Sequence, residues 1–167
     1  FLRGSTSSAD AKGFDPETFR TFALKTQGDA VQGKAIFQDL KGLACVKCHA
    51  VGGEGGKLGP DLSDIATKYP REELITAVLY PSAKISSGYE PVTVATTDGR
   101  VITGIIKSDT PETLELEDAD AKRVAIPKAD IDARKNAELS IMPAGLADGL
   151  TPSDFASLIS YLETLKK

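Results

Sequence analysis

The side chains in this sequence best suited to binding a soft metal are few and sit close together. The chain has two Cys, one His and one Met, and both thiols and the imidazole fall in Cys45-Val46-Lys47-Cys48-His49. Thiols three residues apart on one helical turn project to the same side, where each can add to a haem vinyl group and form a thioether. The next residue then lies under the porphyrin plane, so His49 can bind iron through its imidazole. Cys-x-x-Cys-His is therefore read as the attachment site of one haem c, held covalently through Cys45 and Cys48. Two other chemistries use paired thiols. A zinc site needs four ligands, which here would have to include carboxylates. A thioredoxin-like redox pair needs a strand before it and a helix after it, whereas here a helical pattern precedes and a Gly-rich segment follows.

The sole Met, Met142, lies in the Pro/Gly-rich segment Ser140-Ile141-Met142-Pro143-Ala144-Gly145. An isolated Met is ordinarily a core gap-filler. Beside a haem, a thioether on a backbone stiffened by Pro143 suits a sixth iron ligand, and His/Met ligation favours ferrous iron and raises the reduction potential, which fits a carrier rather than a gas sensor. The metal ligands expected are thus His49 and Met142. A metal-bound His donates its second ring N–H to a carbonyl or carboxylate. In Gly59-Pro60-Asp61-Leu62, the Pro60 carbonyl is a candidate acceptor, or Pro60 simply stiffens the loop.

Around these residues the sequence is that of an ordinary folded chain. Of its 167 residues, 41% are hydrophobic and 26% charged, with a net charge of -4 and no Trp. There is no basic surface of the kind that binds nucleic acid, and no apolar stretch long enough to span a bilayer. Residues 1–12 are small and polar and read as a linker or an expression remnant, leaving residues 13–167 as the folded domain. No charged start followed by an apolar run, as in a signal peptide, is visible.

Asp15-Pro16 caps and opens a helix, and Gly28 breaks it. Asp29 starts a second, with Gln32 completing a capping-box variant and Val31, Ala35, Ile36 and Leu40 at helical spacing. Residues 51–60 read as a loop, with five Gly between positions 52 and 59. Residues 70–79 form a further helix, ended by Tyr80-Pro81. From residue 89 the period changes to two. Val92, Val94 and Thr96 alternate, Asp98-Gly99 turns, and three more short strands follow to Ile126, predicting a four-stranded antiparallel sheet within an insertion at about 89–136. Its charges (Glu112, Glu115, Glu117, Asp118 and Asp120 against Lys107, Lys122 and Arg123) read as a solvated face. Thr151-Pro152-Ser153-Asp154 opens the clearest helix, with Phe155, Leu158, Ile159, Leu162 and Leu165 in one apolar stripe.

This arrangement resembles a class I (mitochondrial-type) cytochrome c. In that family a helix leads into Cys-x-x-Cys-His, a Gly-Pro loop holds the proximal His, and a Met-Pro segment precedes a terminal helix. The matching segments are the helix from about 29 to 40, Cys45 to His49, Gly59-Pro60, Met142-Pro143 and the helix after Thr151. The resemblance implies a mainly α cytochrome c fold with an inserted small antiparallel β-sheet, α+β overall. It further implies a crossing of first and last helices at Gly33 and Phe37 against Leu158 and Tyr161, and a Pro60 carbonyl that holds His49. The strand-rich stretch departs from ordinary members. The fuller pattern, including Tyr80-Pro81-Ser82, Gly88-Tyr89-Glu90 and Thr97-Asp98-Gly99-Arg100, is similar to a group of haem-binding domains in large exported proteins of planctomycete-type bacteria.

The resemblance implies an electron carrier rather than an enzyme, passing single electrons between redox protein partners, periplasmic or otherwise extracytoplasmic, as a module of a larger polypeptide. The absence of spare Cys agrees with an exported compartment. Two alternatives stay open: an open-site haem sensor or peroxidase-like enzyme, for which Glu138 would have to serve as distal acid, and a docking module with haem as its structural core. Arg71, Tyr80, Lys84 and Tyr89 are the polar candidates for a haem propionate.

Overall fold

A computed structural model describes residues 14–166. The expected linker at residues 1–12 lies outside them. The described chain is α+β: five α-helices, a five-stranded antiparallel sheet and a two-stranded hairpin.

Helix α1 (Pro16–Lys25) begins where the Asp15 carboxylate accepts the N–H groups of Glu17 and Thr18, supplying acceptors for amides that have no partner inside the helix. Helix α2 (Ala30–Gln38) starts at Asp29, whose side chain accepts from Val31 and Gln32. Gln32 does not reach back to close a capping box. Its side-chain amide instead donates to Asp154 at 2.6 Å. The apolar stripe of α2 also differs from expectation. Val31 is 80% exposed and Leu40, past the helix end, is 59% exposed, while the buried positions are Gly33 and Phe37. That face is narrow because it fits against another helix at very short range. Helix α5 (Pro152–Glu163) has a full capping box between Thr151 and Asp154 and buries every residue from Phe155 to Leu162. Fully burying side chains such as Phe155, Leu158 and Ile159 contributes roughly 1.5–3 kcal/mol each.

The α2–α5 crossing is made by missing side chains. A Cβ at Gly33 would lie 2.0 Å from the Ser157 carbonyl oxygen and 2.8 Å from Tyr161 Cβ, and one at Gly28 would lie 2.2 Å from the Ser157 amide nitrogen. Beside this contact the Phe37 and Tyr161 rings pack with centroids 5.5 Å apart. The short helix α3 (Ile65–Lys68) and helix α4 (Arg71–Leu79) complete the layer. Leu74, Ile75, Val78 and Leu79 of α4 join Phe19, Phe37 and Phe155 in one core. Arg71 ties three of these helices. Its guanidinium donates to the carbonyls of Ala23 at 2.7 Å and Thr26 at 2.8 Å, at the end of α1, and pairs with Glu163 of α5. Arg71 is thus committed to the helical layer and not free for a propionate.

Residues 51–60 are more ordered than a loop. Strands β1 (Ala50–Val51) and β2 (Glu54–Gly55) form a tight antiparallel hairpin, turned through Gly52 and Gly53 at φ +61° and +86°, where glycine is favoured.

Between α4 and α5 runs the main sheet: β3 (Val92–Thr96), β4 (Val101–Asp109), β5 (Thr113–Glu117), β6 (Arg123–Pro127) and β7 (Ile131–Asn136). The order is β6-β5-β4-β3-β7, so there are five strands and not the four expected. The added strand, β7, pairs with β3 from Val92 opposite Asn136 to Thr96 opposite Ile131. Val92, Val94, Leu114, Leu116 and Ile126 form a second core, separate from that of the helices. The chain enters and leaves the sheet at one neck: the Ala137 N–H bonds to the Pro91 carbonyl at 2.8 Å and the Ser140 N–H to Ser82 Oγ at 3.0 Å.

Candidate functional site

After α2 the chain turns through Gly42 and Ala44, whose N–H groups both bond to the Asp39 carbonyl. Ala44 is left-handed at φ 53°, ψ 36°, a conformation costing a non-glycine residue roughly 1–2 kcal/mol. That turn starts a single 3-10 turn, Cys45–Lys47. The amides of Cys48 and His49 both bond to the Cys45 carbonyl, at 3.1 and 2.9 Å, which fixes the spacing of the two thiols. Both are free and partly buried.

His49 is held from the far side by the Gly-rich segment. Its Nδ1 lies 2.8 Å from the Pro60 carbonyl oxygen. Gly59 packs flat on the ring: a Cβ there would sit 2.5 Å from His49 Cε1 and 2.8 Å from Nδ1. The segment is itself laced to the Cys turn, with the Gly56 N–H on the Val46 carbonyl and the Gly59 N–H on the Cys48 carbonyl, both at 2.8 Å. Gly55 and Gly56 back directly onto the carbonyls of His49 and Lys47, at 2.3 and 1.8 Å from where a Cβ would be. These glycines therefore have a steric role that their number alone did not reveal in the sequence. Only their contacts with the Cys turn, which sequence does not show, identify which of them matter.

The protonation states follow from burial. Burial pushes the Cys45 thiol up to about 11, and burial likewise raises that of Cys48, with Lys47 lowering it and the Glu117 carboxylate adding to the rise. A redox-active pair of the thioredoxin type needs the opposite shift, a thiol made acidic by its surroundings. Burial lowers the His49 imidazole, partly opposed by the hydrogen bond to Pro60, so the ring is neutral at pH 7. A carbonyl only accepts, so Nδ1 carries the proton and the lone pair stands on Nε2.

Met142 lies half-buried against the same helical core as Cys45 and Val46. Its amide donates to Ser140 Oγ at 3.1 Å, and Ser140 is in turn tied to Ser82. Glu138 is exposed. Of the propionate candidates, Tyr80 donates its hydroxyl to Glu17, Lys84 lies over the Tyr69 ring at 5.3 Å from its centroid, and Tyr89 is half-buried. Among the described residues no cluster of three or more His, Cys, Asp or Glu is placed to hold a metal ion. Nor is any helix among them long and apolar enough to cross a membrane.

The sequence reading missed two residues of this neighbourhood. Lys107 and Glu117, read as part of a solvated face, form an ion pair at 3.0 Å with only 18% and 12% of their side chains exposed. Lys107 also donates to the Lys57 carbonyl at 3.0 Å.

A family model described as Cytochrome c matches residues 30–126, a span that takes in α2, the Cys turn, His49 and Pro60 and stops short of Met142 and α5. No curated protein matches the chain. More than half of the 167 residues fall within the match, and the chain belongs to the cytochrome c family, whose members carry covalently attached haem and transfer electrons.

Proposed function

We propose that the chain is a mono-haem c-type cytochrome, with thioethers to Cys45 and Cys48, His49 and Met142 as axial ligands, and single-electron transfer between redox partners as its activity. The observation that carries this reading is the 2.8 Å contact of His49 Nδ1 with the Pro60 carbonyl, beside two free thiols on one turn. It leaves a neutral ring with its Nε2 lone pair available, which is the state an iron ligand needs. The absence of a Cβ at Gly59 supports the same fit, since any side chain there would push the ring off its acceptor.

The residues suit the group that the family implies. Cys45 and Cys48 supply the attaching sulfurs, His49 and Met142 the axial donors, and Pro60 orients the imidazole. Bound there, the haem supplies a one-electron iron couple. The protein's work is to hold the ligands still and to exclude water, because a site that moves little on oxidation exchanges electrons with little reorganisation. The Ser140 and Ser82 hydrogen bonds hold the Met142 loop, and a thioether in the sixth position favours ferrous iron and a high potential.

We further place the chain in the mainly α cytochrome c fold, with the stretch at about 89–136 as an insertion. Residues 13–167 then form one domain, similar to the planctomycete-type group and a module of a larger exported protein. Residence is periplasmic or otherwise extracytoplasmic, and the partners are redox proteins on the dehydrogenase or oxidase side. The chain is read as a carrier and not an enzyme, because Glu138, the candidate distal acid, faces solvent.

Expression with a cytochrome maturation system tests the proposal. Intact mass should equal the polypeptide plus one haem, and the ferric protein should show the weak sulfur-to-iron charge-transfer band in the red. Met142→Ala should abolish that band while the haem stays attached. A colourless product at the bare polypeptide mass would sink the whole reading. Rapid carbon monoxide binding by the untreated ferrous protein would favour the open-site alternative.

A further inference from the structure

The sheet reaches the attachment site through an irregularity in one of its strands. Strands β4 and β5 pair Ile106 with Leu116 and then Ser108 with Glu115, so Lys107 is the extra residue of a β-bulge. A bulge bends its strand and re-aims a side chain. Here the ammonium of Lys107 meets the Glu117 carboxylate at 3.0 Å and donates to the Lys57 carbonyl at 3.0 Å. Lys57 stands three residues before Pro60 in the segment that grips His49, and the next residue, Leu58, is buried.

Resting on the haem reading above, we infer that Lys107 and Glu117 are positioning residues: the bulge-aimed ion pair clamps the sheet to the His49-holding segment and sets the potential of the haem through balanced, mostly buried charges against that segment. The pair does two things. It fixes the Lys57 carbonyl and, through Leu58 and Gly59, the Pro60 carbonyl. It also keeps the local charge near zero, because a half-buried carboxylate left alone against the segment that holds His49 would favour the ferric state of a haem bound there. At short range and under partial burial such a charge acts with much less screening than in water.

Reduction potentials of the haem-loaded protein test the inference, by spectroelectrochemistry on Lys107→Met, Glu117→Gln and the double variant. At fixed electrode potential, Lys107→Met should shift the ferrous-to-ferric ratio about tenfold toward ferric, a fall of about 59 mV for a one-electron couple. Glu117→Gln should shift it by a comparable factor toward ferrous. The double variant should return close to the parent value. Shifts of the same sign, or none, overturn the electrostatic part, since simple loosening of the site would move both variants in one direction.

Removing one member of a partly buried pair can destabilise a fold, and the double variant keeps the test valid because it leaves neither charge unpaired. Hydrogen exchange at the Gly56 and Gly59 amides gives a readout independent of haem: both should exchange faster in Lys107→Met, and unchanged protection overturns the clamp. A parent protein without covalent haem would defeat the haem reading by its mass, while the exchange result still decides on the clamp.

Discussion

The helices and the sheet of this chain are built on opposite economies of side-chain volume. In the helical layer the decisive contacts are made by absence. Gly28 and Gly33 let α2 lie against the backbone of α5, and Gly55, Gly56 and Gly59 let the hairpin segment lie against the Cys turn and the His49 ring. In the sheet the decisive contacts are made by presence, with Val92, Val94, Leu114, Leu116 and Ile126 filling a core of their own. The two cores meet at a narrow neck and at the Lys107 clamp. The difference explains why the same kind of substitution should act differently in each. Adding atoms breaks the first region, and removing atoms breaks the second.

The largest effect should come from Gly33→Leu. A Cβ already meets the Ser157 carbonyl oxygen at 2.0 Å, and backbone cannot rotate out of the way as a side chain can. The helices must separate, at a cost of about 3 kcal/mol or more, the upper end of what overpacking usually produces. Urea unfolding followed by helical circular dichroism should show the loss. If the sheet is energetically its own unit, strand signal should outlast helix signal in this variant. A single coincident transition would instead show that the two cores unfold together.

Leu114→Ala is the reciprocal experiment. Leu114 is fully buried in the sheet core, and truncation of a buried Leu costs about 2–5 kcal/mol, depending on how far the site collapses. The sheet should lose stability, while covalent loading and the red charge-transfer band stay as in the parent. Loss of that band would mean that the sheet supports the ligand geometry far more widely than through Lys107.

How much of this contrast was readable in the sequence differs by region, for physical reasons. Caps were legible because a short polar side chain before a Pro or an apolar run has few other uses, and Asp15, Asp29 and Thr151 all start helices. The Asp98-Gly99 turn was legible for the same reason. Strand β7 was not, because nearly all its residues face water and it carries no alternation to detect. It is placed by pairing with β3, which no local pattern encodes. Val31 and Leu40 misled because apolar spacing alone cannot show that the buried face of α2 is centred on a glycine. Around the site, the Cys/His spacing was local and readable. The burial of the Lys107–Glu117 pair depends on a bulge and on a loop fifty residues away, and alternating charges on a strand give no sign of it.

Gly59→Ala should have an intermediate effect that is concentrated on the site. The added methyl meets the His49 ring at 2.5 Å from Cε1, and the ring or the segment must move by several tenths of an ångström. Overall stability should fall by about 1–2 kcal/mol. The sharper readout is the haem: the imidazole loses its alignment with Pro60, so the fraction of protein carrying covalent haem should drop and the ferric spectrum should show mixed ligation. Unaltered loading and spectrum would show that the Pro60 contact is dispensable for His49.

The smallest effect expected is electrostatic and belongs to the sheet alone. Asp109, at the end of β4, pairs with Lys128 and accepts from Arg134 of β7 at 2.9 Å. The Lys128 hydrogen bond, then that of Arg134, holds its carboxyl below the usual carboxylate range. A carboxyl depressed in the folded state stabilises the fold above its unfolded value, near 3.9, and this contribution disappears as the pH falls through the folded value. Because the group is solvent-exposed, salt should screen most of it. Asp109→Asn should therefore lower the melting temperature slightly at pH 7 and low salt, and the gap should close both in high salt and on acidification to below the folded value. The sheet transition should carry the whole difference, with the haem spectrum unmoved. A gap that persists in acid would assign the loss to side-chain packing between β4 and β7 and not to charge.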